Sequence, residues 1–205
     1  MYLTKQQISI LFSKLGEKLA PRIIKNFHNS YCKYLSSSDV EVLYDDIYRA
    51  MLKQHPIHKI INNTYKINIY NKYIYEYLIK RINNNTTILD IGCGDGDVLL
   101  ALAQKNIKYG LGIDFSINAI NDCKNKLKLS GLNNCQFICE DASSINNINK
   151  TFDYVILNDI TEHISDKELS KLFINLKKFI NTKSEILIHT PNGMALCNNT
   201  DIDLF

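Results

Sequence analysis

The sequence predicts an α/β fold, a doubly wound and mostly parallel sheet with an N-terminal helical extension. Three observations carry this. Short β-type runs alternate with helical stretches from Thr86 onward, residues 1–82 show only helical periodicity, and three glycines at alternate positions close the first β-type run. Strand, helix and strand in regular succession mean right-handed crossovers and a parallel sheet, whose ligands sit at the carboxyl ends of the strands.

The elements follow in order. Ile8, Leu11, Phe12, Leu15 and Leu19 recur at helical spacing from Thr4 to Ala20, and Pro21 stops that helix. Residues 22–35 form a second helix. Ser36-Ser37-Ser38-Asp39 is an N-cap signal, and Val40, Leu43, Ile47, Met51 and Leu52 stripe a third helix that ends before Pro56. A tyrosine-rich helix over residues 69–82 leads into the loop Asn83-Asn84-Asn85. The β-type runs are TTILDIG, YGLGIDF, CQFICED, FDYVILND and SEILIHT, with helices expected over 96–105, 117–129 and 166–180. Residues 142–150 are polar and are expected to hold at most a short helix. Two regions result, a helical cap or lid over 1–82 and a sheet domain over 83–205.

Composition narrows the function classes. The chain has 205 residues, 45% hydrophobic, with a net charge of +3, which supports a packed core and argues against disorder. No apolar run reaches the ~18 residues of a membrane-spanning helix. The N-terminal MYLTKQQISI lacks a basic segment followed by an apolar one, so no secretion signal is read and a cytoplasmic location is expected. Cys32, Cys93, Cys123, Cys135, Cys139 and Cys197 show neither a CxxC pair nor zinc-like spacing, and are expected to stay reduced. Residues 1–80 carry 12 Lys+Arg against 6 Asp+Glu, and residues 81–205 carry 12 against 15. The basic front half suits an anionic substrate or simply a solvated helix face. It lacks the dense basic stripe with interleaved aromatics that a nucleic-acid surface needs.

The strongest local signal is Asp90-Ile91-Gly92-Cys93-Gly94-Asp95-Gly96-Asp97. The glycines let the backbone turn tightly against a ligand, and a helix starting near Asp97 directs its free N–H groups there. The spacing is G-x-G-x-G rather than the G-x-G-x-x-G of dinucleotide enzymes. Asp90, just inside the turn, opposes an anionic pyrophosphate and suits a cationic or zwitterionic ligand. Asp114 ends the second run about 20 residues on, where an acid accepts both hydroxyls of a ribose. Asp141 ends the third run, where a carboxylate can accept from an adenine amino group. Each acid read alone also fits a cap or turn.

The set ILDIGCGDGD, GIDFS, CEDAS and FDYVILNDITEHI resembles class I S-adenosylmethionine-dependent methyltransferases, over roughly residues 70–193. The resemblance implies a Rossmann-like core and S-adenosylmethionine as methyl donor, with S-adenosylhomocysteine as product. It implies that Asp90, Gly92, Cys93 and Gly94, within the turn that Gly96 completes, line the methionine end. Asp114 then holds the ribose with Phe115 beside the adenine, Asp141 and Ala142 hold the adenine edge, and Asn158 faces the methionine portion and the substrate.

Asn158-Asp159-Ile160-Thr161-Glu162-His163, with His189-Thr190-Pro191-Asn192-Gly193, is similar to the narrower group around the ubiquinone-biosynthesis O-methyltransferases. Methyl transfer is an in-line displacement that needs positioning and a shaped site, and a base when the acceptor is a hydroxyl. His163 is the first candidate base and His189 the second, with a purely structural Glu162-His163 pair as the alternative. Asp159-x-x-Glu162-His163 is also similar to the metal-binding E-x-x-E-H of small-RNA 2′-O-methyltransferases. It has Asp where that group has Glu and no further downstream His, so no metal is assigned.

The expected activity is therefore methyl transfer to a small-molecule acceptor, at oxygen. The alternatives are an inactive binding or scaffold subunit of the same fold, or an RNA 2′-O-methyltransferase fragment. The family core continues into an edge hairpin beyond the fifth strand, which is not legible before Phe205. Three accounts stay open: the chain is a C-terminally incomplete piece of a longer protein, the gene is truncated, or the N-terminal helices, a homodimer or a partner subunit cover the edge that the fifth strand exposes. Tyr65, Tyr70, Tyr73 and Tyr77 are candidate lid residues, or plain packing of a helical cap against the sheet.

Overall fold

The computed structural model describes residues 71–143, 145, 148–161 and 163–190. The three helices expected before residue 57, with Tyr65, Tyr70, Glu162 and the Pro191-Asn192 pair, lie outside the described residues. The elements are α1 (Lys72–Ile79), β1 (Thr87–Ile91), α2 (Asp97–Ala103), β2 (Tyr109–Asp114), α3 (Ile117–Ser130), β3 (Cys135–Cys139), β4 (Tyr154–Asn158), α4 (Asp166–Leu176) and β5 (Glu185–His189). All five β-type runs are strands. The order is β3-β2-β1-β4-β5 with every pairing parallel, and the chain reverses its direction of travel across the sheet after β3. A crevice at the carboxyl ends of β1 and β4 is the consequence of that reversal.

Some boundaries differ from the sequence expectation. The tyrosine-rich helix is limited to Lys72–Ile79, and Arg81 and Ile82 close a turn on the Leu78 carbonyl. The helix expected over 166–180 ends at Leu176, and Phe179 closes a turn on its carbonyl. Asp141 lies beyond β3, which ends at Cys139. None of the described residues between 142 and 150 is helical.

Strand alternation divides the core in two. On one face Ile88 and Ile156 pack with Ile74 and Leu78 of α1, Leu99 and Leu102 of α2, and Ile120 of α3. On the other, Leu89, Ile91, Val155 and Leu157 pack with Phe152, with Leu172 and Leu176 of α4, and with Phe179. The central strand β1 is buried on both faces, as the Val/Ile/Leu-rich reading of a parallel strand requires.

Helix ends use local chemistry. Ser116 caps α3 by accepting from Ala119 N–H, and Gly131 ends it in the left-handed region. Ser165 and Glu168 form a reciprocal capping box on α4. Among the described residues β5 is an outer strand, and Ile188 on it is 50% exposed.

Candidate active site

Register brings the sequence-predicted acids together. Asp90 pairs across β1 with Gly112 of β2 and Ile156 of β4, so Asp114 and Asn158 each lie two residues further along on the same face. His189 of β5 pairs with Asn158 and shares that face. Asp114, Asn158 and His189 therefore stand level along the carboxyl edge. Asp90 lies one pleat deeper between them, about 6.6 Å at 3.3 Å per residue.

The glycine turn opens the notch above Asp90. Gly92, Gly94 and Gly96 all have positive φ, at 70°, 52° and 75°. Gly92 N–H and Cys93 N–H both donate to the Ile113 carbonyl, at 2.8 and 3.0 Å, which bends the chain over the end of β2. The strongest packing requirement falls on Gly96. A Cβ there would stand 2.8 Å from Cys123 Sγ and 2.9 Å from Phe137. Helix α2, with seven residues, starts directly after it.

Asp114 holds this turn. Its carboxylate accepts Gly94 N–H at 2.9 Å through one oxygen and Ser116 N–H at 2.8 Å through the other. The same side chain thus orders the glycine turn and the start of α3, while a carboxylate has about four lone-pair sites in all. Asp90 is 3% exposed. Burial, then the negative charges of Asp114 and Asp95, push its carboxyl up to about 7. Among the described residues, no cation contributes to that shift. Asn158 donates through Nδ2 to Asn71 Oδ1 at 2.8 Å, and its own Oδ1 is buried without a hydrogen-bond partner among the described residues.

The remaining predicted residues lie around this row. Cys93 and Cys123 flank the Gly94 carbonyl, at 4.0 and 3.2 Å. Burial pushes both thiols up, which disfavours the thiolate form. Phe115 is half-buried just past Asp114, and its carbonyl accepts from Cys139 Sγ. Asp141 is exposed, and both its oxygens accept from Ser143, N–H at 2.7 Å and Oγ–H at 2.8 Å. That is a turn of the kind an Asp makes with its own backbone. Ala142 packs against the core of the opposite face. His163 closes a turn on the Ile160 carbonyl between β4 and α4. Tyr77 bonds Glu185 at the amino end of β5, far from the strand ends that carry the site, which removes it from the lid candidates. Tyr73 is exposed.

Three relationships were not read from the sequence. Asp159, with φ 53°, accepts from His189 Nδ1 at 2.8 Å, and its backbone N–H donates to the His189 carbonyl at 2.9 Å. Asn71 at the start of α1 reaches Asn158. Lys126 of α3 is fully buried, with Nζ 2.9 Å from Asp122, 3.1 Å from Asp97 and 3.5 Å from Asp95. Burial acts to lower this lysine, but the three carboxylates outweigh it and hold its ammonium above the ordinary range. A signal existed for it: Lys126 continues the spacing of Ala119, Ile120 and Cys123, so it falls in the buried stripe of α3.

Among the described residues no group of three or more His, Cys, Asp or Glu is placed to hold a metal ion. Nor is any helix there long and apolar enough to cross a membrane.

The sheet order, the glycine turn and the acid at the end of β2 define a Rossmann-like nucleoside-binding core. Residues 82–202 match the methyltransferase-domain family, and the chain belongs to that family, the class I S-adenosylmethionine-dependent methyltransferases. It is 24% identical to carboxy-S-adenosyl-L-methionine synthase 1 of Yersinia pseudotuberculosis, over 79% of this chain and 60% of that one. It is 26% identical to the ubiquinone/menaquinone biosynthesis C-methyltransferase UbiE of Rickettsia typhi, over 59% of this chain and 53% of that one. The chain thus spans only about 60% of the length of the first of these relatives. Its fold is similar to that of a Pyrococcus horikoshii protein, with a TM-score of 0.58 at 23% identity, covering 73% of this chain and 69% of that one. A Haemonchus contortus phosphoethanolamine N-methyltransferase has a TM-score of 0.57 at 16% identity, over 77% and 33%.

The residues present fit the family's methyl donor, S-adenosylmethionine. Its ammonium and sulfonium are cationic, and the notch supplies a buried acid that no cation acts on, and a buried amide oxygen without a hydrogen-bond partner, among the described residues. An anionic pyrophosphate would meet Asp90, Asp95 and Asp114 instead.

Proposed function

We propose that this chain transfers a methyl group from S-adenosylmethionine to a small-molecule acceptor, at oxygen. The observation that carries the reading is the placement of Asp90 one pleat below the level of Asp114 and Asn158, on one face. Asp90 and the Asn158 Oδ1 would receive the donor's ammonium, and Asp114 the ribose hydroxyls. Phe115 and Ala142 would flank the adenine, and Asp141 would take its amino edge after turning away from Ser143. Cys93 and the backbone of Gly92, Gly94 and Gly96 would wall the methionine end.

When bound, the donor supplies an activated methyl on a positively charged sulfur. The protein's work is then to hold that carbon in line with the acceptor and to keep water out. The proteins it is similar to include a C-methyltransferase and an N-methyltransferase, so the acceptor atom is argued from the site. An oxygen acceptor follows from a histidine, His189, one strand beyond Asn158 on the same face. His163 stands as the second candidate base, and it lies in the turn before α4. Residues 83–205 serve in this reading as the donor-binding domain.

Calorimetric titration of the 205-residue chain with S-adenosylhomocysteine, and with NADH as control, tests the donor assignment. Micromolar binding of the former alone supports it. A folded, monodisperse chain that binds neither would make the protein a scaffold of this fold.

A further inference from the structure

We propose that Asn71, at the start of α1, makes the site select a donor that carries a protonated amine, by turning the side-chain oxygen of Asn158 toward that amine. The inference rests on the donor assignment above and gives it a positioning residue outside the sheet.

Asparagine at the start of a helix commonly caps it. Asn71 does not: its side chain takes no cap bond from α1. Its Oδ1 instead accepts Asn158 Nδ2 at 2.8 Å, across 87 residues of chain. Helix α1 gives Asn71 a fixed support. Ile74 and Leu78 are buried in the core shared with α2, and Tyr77 bonds Glu185 at the amino end of β5. The helix is thus tied to β4 at the carboxyl end of the sheet and to β5 at the amino end.

A primary amide has one donating end and one accepting end. Asn71 takes the donating end of Asn158. The accepting end, Oδ1, is left buried without a hydrogen-bond partner among the described residues. Asn158 shares its face of the sheet with Asp90, one pleat deeper, so the amide oxygen and the acid are two acceptors on one side of the notch. An ammonium has three donors and no acceptor, and it satisfies both. The reversed amide would offer N–H donors there and repel the same ammonium. Asn71 decides between the two, because its oxygen rewards only the first. A ligand without the amine leaves the Asn158 oxygen buried and unmet, which is a cost the site does not recover.

The test uses the full chain, wild type and the variants Asn71→Leu, Asn71→Asp, Asn158→Leu and the double Leu variant. Leucine keeps the shape of asparagine without its polar atoms, and aspartate keeps an acceptor for Asn158 Nδ2. Circular dichroism checks each fold. Each chain is titrated by calorimetry with S-adenosylhomocysteine and with its deamino analogue, in which hydrogen replaces the amine. Wild type should bind S-adenosylhomocysteine at least about 10-fold more tightly than the analogue. Asn71→Leu should weaken S-adenosylhomocysteine about 10-fold and leave the analogue within about threefold, and Asn71→Asp should keep the wild-type preference. Because Asn71 acts through Asn158, the double variant should bind no worse than Asn158→Leu alone. The double variant also removes both amides together, so no partner is left unpaired, and with Asn71→Asp it still reports where Asn71→Leu fails to fold.

The proposal is overturned by an unchanged S-adenosylhomocysteine affinity in Asn71→Leu, or by equal losses for the two ligands, which mark general damage to the pocket. Loss of the preference in Asn71→Asp, or a further loss in the double variant beyond Asn158→Leu, overturns it as well. A wild type that binds both ligands equally well keeps the donor site but ends the selection. Absence of S-adenosylhomocysteine binding in wild type removes the donor assignment itself, and this inference with it.

Discussion

Lys126 Nζ lies 3.1 Å from the Asp97 carboxylate, and both side chains are buried between α2 and α3. The same ammonium donates to the Asp95 carbonyl at 2.9 Å, so one lysine ties α3 to the last turn of the glycine segment. Removing one member of a buried charge cluster leaves the others desolvated and uncompensated. Lys126→Met is therefore expected to destabilise the fold by about 3–5 kcal/mol, read from urea unfolding monitored by circular dichroism. An unchanged midpoint would mean that the cluster is solvated and structurally idle.

Asp114 joins two turns that the donor reading needs in place together. Replacing it by Ala removes the acceptor of Gly94 N–H and of Ser116 N–H at one stroke. Charge-assisted hydrogen bonds contribute about 1.5–3 kcal/mol each. Asp114→Ala is expected to weaken S-adenosylhomocysteine binding at least about 100-fold, equivalent to about 2.7 kcal/mol, and to abolish turnover. Calorimetry reads this directly. Retained affinity in a folded variant would move the ribose elsewhere.

Asp90 makes affinity and stability depend on pH in opposite senses. Its folded carboxyl titrates at about 7, above the ordinary carboxylate value of 3.8, so the folded chain holds an extra proton between those values. Stability from this group is therefore greatest at low pH, falls as pH rises from about 4, and levels off above about 7. A cationic ligand favours the ionised form, so S-adenosylhomocysteine affinity is expected to rise toward pH 7 and then flatten. Binding near pH 6 should release protons, seen as heats that depend on the buffer. Asp90→Asn should abolish both the proton release and the stability slope. A buffer-independent heat in wild type would place the ammonium away from Asp90.

Gly96 has no room for a side chain. An added methyl would meet Cys123 Sγ at 2.8 Å and Phe137 at 2.9 Å on a backbone with φ 75°. Overpacking costs about 1–3 kcal/mol and a left-handed L-residue adds about 1–2. Gly96→Ala should lose about 3 kcal/mol by thermal unfolding, whereas Gly131→Ala, where a Cβ meets nothing within 4 Å, should show only the backbone share. Equal losses at the two sites would mean that the turn relaxes away from α3.

The sequence by itself determined the sheet. Short apolar runs alternating for the most part with helical stretches imply right-handed crossovers and a parallel sheet, so strands β1 to β5 and helices α2 to α4 were legible without coordinates. The positions of Asp90, Gly92, Asp114 and Asn158 at the ends of β1, β2 and β4 were legible too, because strand boundaries and the glycine turn are local features. Tertiary structure alone decided the rest. The register put Asp90 a pleat below Asp114 and Asn158, and periodicity within one strand carries no information about its neighbour. Residues 30 apart in the chain, Asp159 and His189, met because β4 and β5 are adjacent. Lys126 meets the Asp97 carboxylate and the Asp95 carbonyl only because α2 and α3 pack together. Each of these depends on the distance between elements, which is set by side-chain packing across the whole core rather than by any local run of residues.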